Sequence, residues 1–199
     1  LALEKYGSGK FTLAQILKPS IELAQNGFVV ADDMADTLSD MYRRMSRWPN
    51  RARALSRDDG TPLREGDRLV QADLAATLSA IADQGPKGFY EGPVAEKLAA
   101  AVGKAGGIMT ADDLKSYQAV IRTPVRGTYR GYEIVSMPLP SSGGTVLLET
   151  LNILEGFPIS DMKQGSAPAL HVMIEAMKRA YADRARYLGD PDFISAPVA

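Results

Sequence analysis

The sequence predicts a mixed α/β chain, mostly helical, with a small two-stranded β element. Three observations carry that prediction. Apolar residues recur at helical spacing through most of the 199 residues. The period changes to two only between Ala119 and Met137, on either side of Arg130-Gly131. Hydrophobic residues make up 45% of the chain and charged residues 24%, which is enough apolar mass for one sizeable core.

The first helical run contains Leu13, Ile16, Leu17, Ile21, Leu23 and Ala24, with Asn26-Gly27 as its stop and Pro19 as a point where it should kink or divide. A second runs from about Asp32 to Arg47, with Met34, Leu38, Met41, Tyr42 and Met45 on one face, and ends at Trp48-Pro49. Its methionines read as core filler, because Met packs irregular gaps well. Arg43, Arg44, Arg47, Arg51, Arg53 and Arg57 form the one locally basic stretch. No aromatic ladder accompanies it, so a solvated face fits better than a phosphate or acidic-partner site.

"RDDGTPLREGDRL" then reads as a loop with at most a short hairpin, since Asp59-Gly60 and Glu65-Gly66-Asp67 favour tight reversals. Leu69, Ala72, Ala76 and Leu78 to Ile81 predict the inward face of a further helix, stopped by Gly85-Pro86. Another helix spans about Val94 to Val102, ended by Gly103 and Gly106-Gly107. Thr110 is a good N-cap for "ADDLKSY", where Asp112 and Asp113 complement the helix dipole.

Two strands follow, about Ala119 to Tyr129 and Tyr132 to Met137, read as an antiparallel pair. The last two helices are Thr145 to Glu155, stopped by Gly156 and Pro158, and Ala167 to Leu188, capped by Ser166 and ended by Gly189 and Pro191. On the latter, Leu170, Ile174, Met177, Tyr181 and Leu188 share a face expected to be buried, and Glu175 and Arg179 should form an exposed i,i+4 pair. The chain thus divides into a mainly helical 1–118, a strand pair at 119–139 and a helical 140–199.

Composition narrows the function classes. With 24 acidic against 23 basic side chains and a net charge of -1, nothing draws the chain to nucleic acid or anionic membrane. The absence of cysteine excludes disulfides, thiolate nucleophiles and cysteine zinc sites. No apolar run approaches the ~18 residues of a membrane span. The chain opens on Leu1-Ala2-Leu3 without an initiating methionine and closes on Pro197-Val198-Ala199, so it is expected to be part of something longer.

The stretch "MPLPSSGGTVLLE", Met137 to Glu149, admits three readings. Ser141 or Ser142 could be a nucleophile between strand and helix, but Pro140-Ser141-Ser142-Gly143-Gly144 does not match Gly-x-Ser-x-Gly. The single histidine, His171, sits in a helical run beside Leu170, Met173 and Ile174, where a packed or surface role suits it. Gly143 and Gly144 could instead let an anion approach free backbone N–H groups, though no Lys or Arg lies within the motif. In the third reading the prolines stop the strand, a serine caps the helix and the glycines permit close packing. Asp190 and Asp192 could share a hard cation, yet two ligands are few and Pro191 suits a plain turn.

Four blocks carry a family resemblance: "DGTPLREGDRLVQADLAATL" (59–78), "GGIMTADDLKSY" (106–117), "YRGYEIVSMPLPSSGG" (129–144) and "AYADRARYLGDPDF" (180–193). In order between residues 59 and 193, they resemble the γ-glutamyltranspeptidase family, with Pro138-Leu139-Pro140 a mild departure from its proline triplet. The resemblance implies a middle-to-late segment of the large subunit of an N-terminal-nucleophile hydrolase with an α/β/β/α fold. It implies a precursor that cleaves itself, whose small subunit begins with a threonine that attacks the γ-glutamyl amide of glutathione. The glutamyl group passes to water or an amino acid, and no cofactor is needed.

The same resemblance puts the threonine downstream of the "LGDPDF" block and the carboxylate-binding arginine upstream of residue 1. None of Arg43, Arg122, Arg126 or Arg130 matches that arginine's motif. The family's catalytic serine pair belongs to the small subunit and is distinct from Ser141 and Ser142. No catalytic, substrate-binding or metal-binding residue is therefore assigned within this chain. The implied partners are the small subunit and a γ-glutamyl small molecule, and the implied location, following bacterial members, is periplasmic or secreted. The alternatives are a glutaryl or cephalosporin acylase of the same superfamily, or a non-catalytic scaffold.

Overall fold

The computed structural model describes residues 1–45, 47–48 and 53–197. The chain forms two compact units, Leu1–Ala119 and Val120–Ala199. The expected end of the second helix at Pro49, and Arg51 of the basic stretch, lie outside the described residues.

The first unit is helical with one minimal sheet. After the short α1 (Ala2–Tyr6), α2 (Leu13–Asn26) starts on a capping box: Thr12 Oγ1 accepts the Gln15 N–H at 3.2 Å, and Gln15 Oε1 accepts the Thr12 N–H at 2.8 Å. Pro19 lies inside α2 without dividing it. Gly27 ends it at φ 70°, where a Cβ would stand 2.6 Å from the Leu69 carbonyl oxygen. That close approach brings in a pairing the sequence reading missed. β1 (Phe28–Val29) runs antiparallel to β2 (Arg68–Leu69), two residues each, too short for a period-two signal.

α3 (Asp32–Met45) buries only Leu38, which joins Val30, Leu63 and Leu69 in the core of this region. Met34 and Met41 are exposed rather than core filler, because only the face of α3 that carries Leu38 meets this core. The loop between is tied by Arg57, whose guanidinium grips the Asp67 carboxylate with two nitrogens, one at 2.7 Å. The Arg57 hydrogen bond, then the Arg64 N–H, hold the Asp67 pKa below its ordinary value.

α4 (Ala72–Gln84) packs on α2 and buries Ala75, while Ala72 and Ala76, expected inside, are exposed. α5 (Lys87–Tyr90) comes so close to α4 that a Cβ on Gly88 would meet the Ala80 carbonyl oxygen at 2.1 Å. α6 (Gly92–Lys104) runs through Gly103, beyond its expected end. α7 (Ala111–Ser116) is capped by Thr110 as expected, with Asp113 completing a capping box.

The second unit is a hairpin under two helices. β3 (Val125–Tyr129) and β4 (Tyr132–Ser136) pair antiparallel from Val125↔Ser136 to Tyr129↔Tyr132. Their two-residue turn has positive φ at both Arg130 (50°) and Gly131 (84°), the twist-matched hairpin turn. Residues 119–124, expected in the first strand, lie outside it, and Pro124 immediately precedes β3. α8 (Gly143–Glu155) packs on β3, where Gly127 admits Leu148: a Cβ there would stand 2.7 Å from Leu148 Cδ2.

α9 (Ala167–Tyr187) packs on α8, capped by Ser166. The face expected to be buried is the wrong one. Leu170, Ile174, Met177 and Tyr181 are 47%, 50%, 38% and 57% exposed, and Leu188 is half-buried just beyond the helix. The buried positions are Ala169, Ala176 and Ala180. Small residues let two helices approach closely, so packing here follows the alanine stripe rather than the apolar one. Glu175 pairs with Lys178 at 2.7 Å, not with Arg179, and that bond leads the lowering of its pKa.

Candidate functional site

The strand-to-helix turn at Met137–Gly144 is built on close backbone packing. β4 ends at Ser136, Leu139 is buried, and the Leu139–Pro140 peptide is cis. A Cβ on Gly144 would stand 2.2 Å from the Met137 carbonyl oxygen and 2.7 Å from Val125 Cγ2. Only glycine fits there. Gly143 differs: its nearest neighbour for a Cβ is Ser141 Oγ at 3.5 Å, an ordinary contact. The tight packing expected of both glycines thus belongs to Gly144 alone.

Neither serine caps α8 in the expected way. Ser142 occupies the N-cap position with helical backbone and makes no capping bond. Ser141 Oγ accepts the Gly143 N–H at 3.4 Å, a long contact. Ser142 Oγ instead accepts from Arg184 Nε at 2.8 Å. A guanidinium can donate but cannot take up a proton, so this partner does not activate the Ser142 hydroxyl as a nucleophile. His171 is exposed and lies 13 residues before Arg184 on α9, roughly 20 Å along the axis at the helical rise. It is not the missing base.

Arg184 is the residue that sequence reasoning did not connect to this turn. It is the basic side chain the motif lacks, but it stands 42 residues away, and no local signal marks a contact made by helix packing.

Beside the turn, a cavity of about 650 Å³ opens between α8 and α9. Val125, Leu148 and Ile153 supply apolar walls, and Thr145, Glu149, Asp183 and Arg184 supply polar ones. Burial, then the Asp183 charge and a hydrogen bond with Asp183, push the Glu149 pKa up. Thr145 Oγ1 is buried without a hydrogen-bond partner. Glu149 and Asp183 thus form a pair of neighbouring carboxyl groups on the polar wall of the cavity.

Asp190 and Asp192 face a guanidinium. Arg122 lies between them, bonded to both oxygens of Asp192 at 2.9 Å and 4.0 Å from Asp190. Among the described residues, no group of three or more His, Asp or Glu is arranged to hold a metal. No described helix is long and apolar enough to cross a membrane.

The γ-glutamyltranspeptidase family model matches residues 1–199. The glutathione hydrolase proenzyme of Escherichia coli is 47% identical over 197 residues, covering 99% of this chain and 34% of that protein. An acylase proenzyme of a Pseudomonas species (strain V22) is 41% identical over 198 residues, 35% of its length. The chain therefore spans about a third of the curated relatives it matches. Among solved structures, the Helicobacter pylori γ-glutamyltranspeptidase superposes with a TM-score of 0.92 at 43% identity, covering 99% of this chain and 56% of that one. A cephalosporin acylase from Bacillus halodurans gives 0.87 at 30% identity, covering 98% and 37%. Matched along its whole length in sequence and in fold, the chain belongs to the γ-glutamyltranspeptidase family.

Proposed function

We propose that the chain is a large-subunit segment of a γ-glutamyl transferase/hydrolase whose parent precursor cleaves itself into two subunits. The observation that carries this reading is the unbroken family match, with 47% identity to a glutathione hydrolase proenzyme. In the parent, the threonine that begins the small subunit attacks the γ-glutamyl amide of glutathione. Its own α-amine takes the hydroxyl proton, and backbone donors stabilise the oxyanion. The acyl group leaves to water or to an amino-acid acceptor.

On this reading the present residues scaffold the site and supply none of its reacting groups. The 199-residue chain alone is expected to release no product from a chromogenic γ-glutamyl anilide, whereas the parent releases it after self-cleavage. Turnover by the isolated chain that survives repurification and vanishes in Ser141→Ala would overturn both the scaffold role and the structural reading of the serine turn.

The acylase reading has a specific observation behind it, 41% identity to an acylase proenzyme. A parent that hydrolyses a glutaryl side chain faster than a γ-glutamyl anilide would establish it instead.

A further inference from the structure

The facing sides of α8 and α9 carry polar groups that the fold itself leaves unmatched. Thr145, Glu149 and Asn152 stand at i, i+4 and i+7 on α8, one stripe along the wall of the cavity, and Asp183 and Arg184 join it from α9. The Thr145 hydroxyl oxygen is buried with no hydrogen-bond partner. A buried polar group in that condition marks a place where something else binds, whether water, ion or ligand. Glu149 and Asp183 are hydrogen-bonded to each other, and among the described residues neither forms an ion pair with a basic side chain. Arg184 is the converse. Its Nε is engaged by Ser142 Oγ, and its terminal nitrogens make no hydrogen bond or ion pair among the described residues. Opposite charges thus line one cavity without pairing with one another. Asp183 and Arg184 are exposed and Glu149 is half-buried, so a solute reaches both signs of charge from outside.

We propose that this cavity binds a zwitterionic amino acid with an apolar side chain, its ammonium on Glu149 and Asp183 and its carboxylate on the terminal nitrogens of Arg184. The chemistry is complementary at each point. An ammonium offers three donors and no acceptor, which suits an acidic pair and the unpartnered Thr145 oxygen. A carboxylate takes two parallel N–H bonds from a guanidinium, and the terminal nitrogens of Arg184 are the fork left open. The side chain of the ligand lies against Val125, Leu148 and Ile153. A purely anionic ligand would leave the acidic pair unmet, and a purely cationic one would leave Arg184 unmet. The volume of about 650 Å³ lies within the range of small-molecule sites. The inference does not depend on which reaction the parent catalyses.

The test is calorimetric titration of the full-length parent at neutral pH with three probes: L-phenylalanine, 2-phenylethylamine, which lacks the carboxylate, and 3-phenylpropanoate, which lacks the ammonium. L-Phenylalanine is expected to bind with a Kd of about 1 mM or tighter, the scale for a ligand of this size. Each single-charge probe binds at least about tenfold more weakly, and E149Q and R184Q each weaken L-phenylalanine by a similar factor. The losses are matched: E149Q abolishes the advantage of L-phenylalanine over 3-phenylpropanoate, and R184Q its advantage over 2-phenylethylamine. A merely structural role for either residue would not produce that pattern. E149Q removes an unpaired charge and keeps its Tm, so it decides the test together with the probe comparison if R184Q loses more than a few degrees. No saturable heat up to about 10 mM, equal binding of the three probes, or wild-type affinity in either folded variant overturns the inference. Turnover of a γ-glutamyl anilide by the parent tests the proposed function separately.

Discussion

Arg184 Nε donates to Ser142 Oγ at 2.8 Å, fastening the turn ahead of α8 to the last turns of α9. Ser142 makes this bond in place of a helix cap. Ser142→Ala should cost the parent about 0.5–1.5 kcal/mol, the range of a single partly solvated hydrogen bond. Urea unfolding measures that loss, and γ-glutamyl anilide turnover per cleaved molecule should not change. A collapse in turnover at unchanged stability would give Ser142 a chemical role.

The two glycines of the turn separate cleanly. Gly144→Ala drives a methyl into the Met137 carbonyl oxygen, which backbone cannot evade, and should destabilise by about 1–3 kcal/mol or more. Gly143→Ala meets only Ser141 Oγ at an ordinary contact distance in the first turn of α8 and should be neutral or gain up to about 1 kcal/mol. Melting temperatures of the two variants decide this. Equal losses would show that the backbone at Gly143 carries a constraint its surroundings do not reveal.

For α9 the expectation reverses with the face. Ile174→Ala should cost the 199-residue chain less than about 0.5 kcal/mol, because the side chain is half exposed. Ala180→Leu should cost about 1–3 kcal/mol, because Ala180 is fully buried. Chemical denaturation of both variants measures the difference, and the opposite order would place the alanine stripe outside the core.

Glu149 and Asp67 predict opposite pH behaviour. The folded pKa of Glu149 is raised above the ordinary 4.5, chiefly by burial and then by Asp183. Its contribution is therefore fully present below 4.5 and is lost as pH rises through the folded value. Glu149→Gln should make the chain more stable than wild type at neutral pH, with the gain shrinking toward pH 4.5. Asp67 has a folded pKa below the ordinary 3.8, chiefly through its Arg57 hydrogen bond. Its contribution is present above 3.8 and is lost as pH falls through the folded value, so Asp67→Asn should be less stable at neutral pH and converge with wild type in acid. Thermal melts across pH report both.

What the sequence determined by itself is whatever is written in neighbouring residues. The Thr110 cap, the Gly27 stop, the Arg130-Gly131 hairpin turn and the extent of α9 all follow from propensities, caps and periodicity, which act over a few residues. The four family blocks are legible separately, as runs of consecutive residues that resemble the family. Tertiary structure alone decided which face of each helix is inside, since α9 offers both an apolar stripe and an alanine stripe, and the alanines are the buried ones. It also decided every contact between distant residues: β1 with β2, Arg184 with Ser142, Arg122 with Asp192. Those pairings lie 39 to 70 residues apart. Their partners are chosen by how helices and strands pack, and packing leaves no periodic mark on a single sequence.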